Sequence, residues 1–353
     1  MMRHVAANVL TLLVLGLVLV LGVITWGQSQ FRAPGPLTAP LRLEVARGEG
    51  LGSVADRLEA AGAISNASVF RIGARYAGLD AGIKFGEYEF PAGVSMQAIL
   101  DQMNTGGNVV RQVVIPEGWT SWQVVEALRA REDLSGEIAE VPAEGSLAPA
   151  GYDYQRGDDR QAMLDRMRAE QDRTLAEAWA GRDPDLPLRT PEELLVLASI
   201  VEKETGVAEE RSRVAGVFVN RLKRGMRLQT DPTVIYGITK GRETLGRGLR
   251  ASELAAATPF NTYVIGGLPP TPIANPGRAS ILAAANPERT DFLYFVADGS
   301  GGHVFARTLE EHNANVNAWR RLEAQRALEA QRALEAEKGG AAGQGEGGAA
   351  TGQ

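Results

Sequence analysis

An uncharged apolar run near the N-terminus constrains this chain more than any other feature. From Val5 to Trp26, 22 consecutive residues carry no formal charge. A helix rising about 1.5 Å per residue would make this run roughly 33 Å long, which is enough to cross a bilayer. A secretory signal has a shorter apolar core of about 7–15 residues, and no convincing cleavage site follows here. We therefore predict an uncleaved single-pass anchor over residues 5–26.

The flanks of this run predict its orientation. Arg3 lies on the short side, and Trp26 lies at the far end, where an aromatic ring suits the membrane interface. The positive-inside rule then keeps the N-terminus in the cytoplasm. We expect the rest of the chain on the outer side of the cytoplasmic (inner) membrane, in the periplasm.

The overall composition excludes several classes of function. The 353 residues include 37 Lys and Arg against 43 Asp and Glu, giving a formal charge of −6 without a basic block. An electrostatic grip on nucleic acid is therefore not expected. The chain has no Cys, and its three His lack the paired spacing of a zinc site. We expect neither a metal nor a cofactor.

Changes in composition divide the chain into five predicted segments, in an α+β fold. Three prolines between Gln28 and Pro40 favour an extended tether after the anchor. A six-residue Leu repeat after 321 predicts a solvated helix, and the Gly-rich sequence beyond Lys338 predicts disorder. The segments are 1–27, the cytoplasmic tip and anchor; 28–40, the linker; 41–130, a small module; 131–320, a larger domain; and 321–353, the tail.

The small module contains one pattern three times: an apolar strand, a Gly-containing turn, a Ser or Thr cap and an amphipathic helix. The predicted caps are Ser53, Ser95, and Thr120 or Ser121. This order resembles the LysM-type glycan-binding modules. A spacer that only packs against the rest of the protein is an equally open interpretation. The glycines at 48–52 have the wrong spacing for a nucleotide-binding turn.

The sequence of the larger domain predicts a helix that begins after the N-cap Thr190, with Pro191 at its first position. At about 100° per residue, Glu204 falls within the apolar stripe of this helix, whereas Glu202 falls on another side. A carboxyl among apolar side chains loses hydration, which raises its pKa and suits a general acid. Periodicity alone leaves open that Glu204 is an ordinary solvated carboxylate at the helix end.

Two further patterns predict local structure in this domain. The proline-dense sequence GGLPPTPIANPG, residues 266–277, must be an irregular loop, since neither a helix nor a central strand tolerates that density. FLYFVAD, residues 292–298, reads as a strand, with His303, Val304 and Phe305 as its hairpin partner.

Three long blocks carry a resemblance to a known family. They are LASIVEKETGVAEERSRVAGVFVNRLKRGMRLQTDPTVIYGI at 197–238, TPFNTYVIGGLPPTPIANPG at 258–277 and FLYFVADGSGGHVFARTLEEHN at 292–313. The chain resembles the endolytic murein transglycosylases of the MltG (YceG-like) family over residues 1–320. One stretch departs from the family: Leu147-Ala148-Pro149-Ala150-Gly151-Tyr152 stands where a Phe-Pro-Asp-Thr-Tyr-like sequence is common.

The resemblance implies that residues 131–320 are a mixed α/β catalytic domain with a catalytic Glu in the IVEKET helix. We map this Glu to Glu204 and keep Glu202 as a secondary candidate. Protonated Glu204 would act as general acid on the bond between MurNAc and GlcNAc in peptidoglycan. The same carboxylate would then take the proton of the MurNAc C6 hydroxyl, which attacks C1 and closes a 1,6-anhydro ring.

The remaining matched residues are interpreted as a glycan cleft, with a structural role as an open alternative for each. Pro232 is expected to hold the preceding Asp231 extended. His303 is a possible acid–base group, although a lone hairpin His is more often structural. The predicted substrate-binding residues are Gln229, Thr230, Asp231, Tyr236, Asn261 and Tyr263.

The sequence therefore predicts a membrane-anchored lytic transglycosylase that cuts nascent glycan strands internally and ends their elongation. The resemblance implies peptidoglycan synthases and penicillin-binding proteins as partners. One alternative is a muramidase that uses Glu204 and Asp231 to hydrolyse the same bond. Another is a non-enzymatic wall-binding scaffold based on the module at 41–130.

Overall fold

The protein is described by a computed structural model that covers residues 2–343, with side chains from 8 to 332. The helices are α1 (Met2–Arg32), α2 (Leu51–Ala60), α3 (Ala67–Tyr76), α4 (Met96–Thr105), α5 (Ser121–Arg129), α6 (Arg160–Ala180), α7 (Pro191–Glu204), α8 (Arg211–Lys223), α9 (Asp231–Thr239), α10 (Ala251–Ala255), α11 (Arg278–Ala285) and α12 (Leu309–Gly343). The strands are β1 (Leu41–Val45), β2 (Gly86–Phe90), β3 (Arg111–Val114), β4 (Gly151–Tyr154), β5 (Tyr294–Ala297) and β6 (His303–Ala306). A short 3-10 turn spans Ala208–Glu210.

The described residues form two compact units. The first contains residues 2–113, 131–137 and 151–162, and the second contains 114–130, 138–150 and the chain from 163 onward. The predicted module at 41–130 is therefore divided, because helix α5 belongs to the second unit. The mixture of helices and strands confirms the α+β prediction in its general form.

In the first unit, helices α2 and α3 follow strand β1 along the chain and precede its partner strand β2. Strand β1 pairs with β2 in antiparallel register, with Leu43 opposite Tyr88. Helices α2, α3 and α4 supply the apolar side chains that cover this pair. Ser95 caps α4, as predicted, by accepting from the backbone N–H of Ala98. The predicted cap Ser53 is wrong: α2 begins after Gly50, and the Ser53 hydroxyl instead donates to Glu49.

Helix α1 is longer than the predicted anchor and packs against helices α3 and α4 of the same unit. It continues to Arg32, so the prediction of an extended tether from Gln28 is wrong over its first five residues. Its residues 8–32 are apolar enough to cross a membrane. The ring of Phe31 lies 6.4 Å from that of Phe70 and covers Gly73 of α3. A Cβ atom on Gly73 would lie 2.4 Å from this ring, so a glycine is needed at the contact.

The second unit is built around α7. Thr190 caps this helix by accepting from the N–H of Glu193, and Pro191 occupies the first turn, both as predicted. Residues Leu194–Val201 are buried on every side of the helix, packed by α8 and α11. Ser199 is also buried, and its hydroxyl oxygen accepts from the N–H of Ile273.

The other predicted elements of the second unit are largely confirmed. Strands β5 and β6 form the expected antiparallel hairpin, and residues 266–277 contain neither helix nor strand. Thr120 caps α5 in a reciprocal capping box with Gln123. Helix α12 continues through Gly343, so the predicted disorder is wrong for 339–343, and residues 344–353 lie outside the described part of the chain.

Candidate active site

Glu204 is the last residue of α7, where the buried helix ends at a junction of several loops. The residue is partly exposed, and its Oε1 accepts a hydrogen bond from the Thr230 hydroxyl. Burial raises the pKa of Glu204, the Thr230 hydrogen bond opposes that rise, and the negative charge of Asp231 adds to it. The net direction is upward, so the carboxyl holds its proton above the usual range. This corresponds to the desolvated carboxyl predicted from the helical wheel.

Thr230 is held in place by a cluster of buried threonines. Its N–H donates to Thr262 Oγ1 over 3.0 Å, and its carbonyl accepts from Thr233 Oγ1 over 2.8 Å. The hydroxyls of Thr233 and Thr262 are themselves 2.9 Å apart. Because every member is buried and bonded, the Thr230 hydroxyl is fixed toward Glu204.

Asp231 and Tyr263 form a pair beside this cluster. Asp231 is exposed, and its Oδ1 accepts a 2.6 Å hydrogen bond from Tyr263 Oη. Burial, and next the bond to Asp231, raises the pKa of Tyr263, which keeps its hydroxyl a donor. The expectation that Pro232 holds Asp231 extended is wrong, because Asp231 is the first residue of α9 and proline is tolerated in a first turn.

Arg221 organises the backbone next to Thr230. Its guanidinium is buried and donates to the carbonyls of Leu293 and Leu228 over 2.6 and 2.9 Å, and to Gln229 Oε1 over 3.3 Å. Gln229 has a φ of 52°, a left-handed conformation uncommon for a residue other than glycine. Its side chain is exposed, so Gln229 lies at the solvent edge beside Thr230.

Glu202 faces a different part of the protein from Glu204. Its Oε2 accepts from the N–H of Gly277 over 3.0 Å, at the end of the proline-dense loop. The two carboxylates thus have no hydrogen-bond partner in common. This confirms the predicted separation of their faces and gives Glu202 a structural contact.

Two of the predicted substrate-binding residues are instead engaged within the protein. Asn261 is fully buried; its Nδ2 donates to the carbonyls of Glu253, Leu254 and Ala256, and its Oδ1 accepts from the N–H of Tyr263. Asn261 therefore positions the loop that carries Tyr263, which corrects the predicted contact with sugar.

Tyr236 is the second of these residues. Its hydroxyl donates to Glu144 Oε2 over 3.1 Å, and its ring lies 5.1 Å from that of Phe260. Burial raises the pKa of both Tyr236 and Glu144, so their bond lies in a poorly solvated place. In this arrangement the Tyr236 hydroxyl is not available to a sugar.

His303 is held by Glu210. Its Nδ1 lies 2.7 Å from Glu210 Oε2, and its backbone N–H donates to Glu210 Oε1 over 2.9 Å. The ring also packs edge-on against Phe295 at 5.2 Å. With Nδ1 bonded to a carboxylate, the ring orientation is fixed. The charge of His303 is among the influences that lower the pKa of Glu204, which couples the pair to the candidate acid.

Sequence reasoning singled out neither the threonines at 233 and 262 nor Glu210. Thr233 and Thr262 lie within two residues of predicted site residues, and that proximity was the available signal. Glu210 had no comparable signal, because its bond with His303 joins residues 93 apart. Among the residues that the structure describes, no group of three or more His, Asp or Glu side chains could hold a metal ion.

Comparison with known protein families gives a match to the YceG-like family over residues 43–318, a range that contains every site residue described above. The chain belongs to the YceG-like family. This confirms the resemblance seen in the sequence. The match also begins at the first strand of the module, so the family extends over both units of the fold.

Two named relatives of this YceG-like chain come from Bacillus subtilis and Streptococcus pneumoniae. It is 28% identical over 304 residues to the endolytic murein transglycosylase of Bacillus subtilis strain 168, covering 77% of this chain and 83% of that protein. It is 29% identical over 321 residues to the endolytic murein transglycosylase of Streptococcus pneumoniae D39, covering 77% of this chain and 57% of that protein. A crystal structure of a yceG-like protein from Listeria monocytogenes is 29% identical, with a TM-score of 0.48, and covers 78% of this chain and 98% of that one.

Proposed function

We propose that this chain is a membrane-anchored endolytic lytic transglycosylase of peptidoglycan. It cleaves the β-1,4 bond between MurNAc and GlcNAc within nascent strands, leaves 1,6-anhydro-MurNAc ends and thereby ends strand elongation. The observation that carries the proposal is the Glu204 carboxyl, which has a raised pKa and is oriented by Thr230 at the end of a buried helix. Relatives named endolytic murein transglycosylases support the substrate class.

In the first step Glu204 acts as a general acid. Its raised pKa keeps the carboxyl protonated in a range where an ordinary Glu is ionised. The proton passes to the glycosidic oxygen, the C1–O bond breaks, and positive charge develops on the MurNAc ring as an oxocarbenium-like centre. The departing GlcNAc leaves with a hydroxyl.

In the second step the same group acts as a base. Glu204 is now ionised and removes the proton of the MurNAc C6 hydroxyl, whose oxygen bonds to C1 of the same ring. The carboxyl is thereby reprotonated, and no water is consumed. Because the nucleophile already belongs to the substrate, a second carboxylate is not required to activate it. The Thr230 hydroxyl stabilises Glu204 in its charged form between the two proton transfers.

Asp231 is suited to stabilise the positive charge of the intermediate. It is exposed, negatively charged and near enough to Glu204 to raise the pKa of that group. The Tyr263 hydrogen bond holds the carboxylate in one orientation. The same arrangement supports the alternative of a muramidase, in which Asp231 would activate a water molecule.

His303 and Glu210 are positioning residues in this proposal. The fixed imidazole provides a nearby group that favours the charged form of Glu204, as required after the first proton transfer. The pair therefore works with Thr230 against the effect of burial.

The proposal includes an anchor and a glycan-binding module that keep the reaction at the membrane. An apolar helix over residues 8–32 supports single-pass insertion in the inner membrane, with the catalytic unit in the periplasm. The chain order strand, helix, helix, strand, with β1 and β2 paired in antiparallel fashion, supports a LysM-like glycan-binding role for the first unit. Peptidoglycan synthases and penicillin-binding proteins, which make the strands, are the proposed partners.

Analysis of the cleavage products tests this proposal. Full-length protein is incubated with uncrosslinked glycan strands in oxygen-18-labelled water, and the ends are identified by mass spectrometry. We expect anhydro-MurNAc ends without the heavy isotope, because the ring closes on its own hydroxyl. Fragments of intermediate length at early times would establish internal cleavage.

Three variants complete the test. Glu204→Gln should abolish the products, whereas Glu202→Gln is the matched control on the same helix. Reducing ends that contain the heavy isotope and disappear in Asp231→Asn would establish the muramidase instead. Strands that are bound without being cut by the unmodified protein would establish a scaffold.

A further inference from the structure

An apolar groove lies in the first unit, where the end of α1 runs beside α3. It encloses about 530 Å³ and is lined on one side by Val23, Ile24 and Trp26, and on the other by Ile72 and Tyr76. Val23 and Ile24 belong to the stretch predicted to cross the bilayer. The groove therefore joins the membrane-crossing part of the chain to a helix of the folded module.

The module exposes two large apolar side chains at this groove. Between residues 33 and 113, all within the described chain, the exposed large apolar side chains are Ile72, Tyr76 and Val110, which are 68%, 81% and 56% exposed. Val110 precedes strand β3, whereas Ile72 and Tyr76 lie together on α3. They are four residues apart and share one face of α3. An apolar helix face that is left in water beside an apolar groove indicates an unfilled contact.

The position of this α3 face beside the end of α1 indicates what fills the groove. Phe31 packs on Gly73, the residue after Ile72, so α3 is held beside the last turns of α1. Trp26 marks the level where the predicted span meets the membrane surface. Val23 and Ile24 line the same groove, so an α1 that spans the bilayer would bring Ile72 and Tyr76 to the depth where acyl chains meet head groups.

The charges around the groove suit a phospholipid surface. Arg32 lines the groove, and Arg75 is an exposed neighbour of Tyr76 on α3. Arg71 is paired with Asp56 over 2.7 Å, and Asp101 is an acidic residue at the groove edge. Tyrosine combines an apolar ring with a polar hydroxyl, which is the combination enriched at membrane interfaces.

We propose that the Ile72–Tyr76 face of α3 is a membrane-docking surface whose occupant is the phospholipid of the bilayer that α1 crosses. Lipid acyl chains fill the groove, and α3 lies in the boundary between acyl chains and head groups. This proposal rests on the anchoring stated under the proposed function. It adds a second membrane contact, made by the folded module.

The experiment uses the full chain, which has no native Cys and so accepts a single fluorescent thiol label. Ala77→Cys places the label in the groove and leaves Ile72 and Tyr76 intact. Ile24→Cys reports on the anchor, and Glu59→Cys provides an exposed control on α2. Each labelled protein is reconstituted in vesicles of phosphatidylglycerol and phosphatidylethanolamine, with or without a lipid that carries a quencher on a shallow acyl carbon.

We expect the lipid quencher to lower the emission at Ala77→Cys about twofold, because an interfacial helix lies roughly 5–10 Å into the head-group boundary. The Glu59→Cys probe should be unaffected. Adding Ile72→Asp and Tyr76→Asp to Ala77→Cys should remove most of the quenching, while the Ile24→Cys signal persists with the same pair of substitutions.

The outcomes separate this proposal from the proposed anchoring. Quenching at Ile24→Cys without quenching at Ala77→Cys overturns the docking surface and leaves the anchor in place. If neither site is quenched, the anchoring is wrong and the docking surface falls with it. Equal quenching at Glu59→Cys, or protection of Ala77→Cys from both lipid quencher and aqueous iodide, also overturns the proposal, since the latter result indicates a protein occupant.

Discussion

At the scale of single residues, two opposing influences act on the pKa of the Glu204 carboxyl. Burial favours neutral Glu204, whereas Thr230, His303 and Arg221 favour its charged form. Burial is the largest influence and raises the pKa, so the acid form is available for the first proton transfer, while the other groups stabilise the carboxylate that this transfer leaves. The threonine cluster matters because it fixes the hydroxyl that shifts this balance.

Removing the acid should remove the activity. We expect Glu204→Gln to lower kcat by a factor on the order of 10²–10⁴, the usual contribution of general acid–base catalysis. Glu202→Gln should retain activity within a few-fold, since Glu202 bonds to the Gly277 N–H. The measurement is the rate of anhydro-end formation with saturating glycan. Full activity of Glu204→Gln would contradict the assignment.

The raised pKa predicts two effects of pH with the same origin. Activity should fall as pH rises through the folded-state pKa of Glu204, because the acid form is lost. Between its ordinary value of 4.5 and the raised value, the unfolded state has released this proton and the folded state has not, so stability also falls with rising pH. Urea unfolding of wild type and Glu204→Gln should show a stability gap that favours the variant and widens across this range. A gap independent of pH would count against a buried carboxyl.

At the scale of elements, sequence patterns predict the helix caps and hairpins that depend on neighbouring residues. The cap Thr190 with Pro191, and the β5–β6 hairpin, follow from neighbouring residues and were read correctly. Ser53 was misassigned because Gly50 begins the helix one turn earlier, and a cap signal cannot exclude a competing start. The full burial of α7 depends on α8 and α11, so an isolated wheel showed only a stripe.

The same limit applies to the candidate site. Glu204 was identified from its own helix and a family resemblance, both readable along the chain. The hydrogen bonds that occupy the Asn261 side chain could not be predicted, because they depend on how the loop folds back onto the carbonyl groups at the end of the short helix α10. Glu210 was missed for the same reason: its role depends on a hairpin brought beside it by the fold.

The contact between α1 and α3 gives a prediction at this scale. Gly73→Ala should gain about 1 kcal/mol of helix propensity but displace the Phe31 ring, since the added Cβ would lie 2.4 Å from it. In a Phe31→Ala background the displacement is absent, and the same change should stabilise the protein. Urea unfolding of the four proteins in the double-mutant cycle provides the test. Additive effects would show that the contact is not formed.

At the scale of the whole molecule, the chain passes between the two units several times. It leaves the first unit after 113, returns for 131–137, and returns again for 151–162. The sequence suggested a boundary at 130, because the repeat pattern runs through α5. Val124, Val125 and Leu128 of that helix are buried, and the helix belongs to the second unit, so a repeat in sequence does not coincide with a compact unit here.

Shortening the N-terminus tests how the anchor and the first unit are joined. Removing residues 2–27 keeps Phe31, whereas removing 2–32 exposes Phe70 and should lower the free energy of unfolding by about 1–3 kcal/mol. Both shortened proteins should still cut soluble glycan, because all of the site residues belong to the second unit. Urea unfolding and product analysis measure the two effects. Equal stability of the two proteins would show that Phe31 contributes little.

The uninterrupted course of α1 into its contact with α3 has a mechanical consequence. A flexible linker would let the module rotate independently of the N-terminal helix. Because α1 continues unbroken into its contact with α3, the helix and the module move as one rigid body. The tilt of α1 therefore sets the tilt of the module. Under the proposed anchoring, a change in bilayer thickness would change the inclination of α1 and, with it, the angle of the module relative to the membrane.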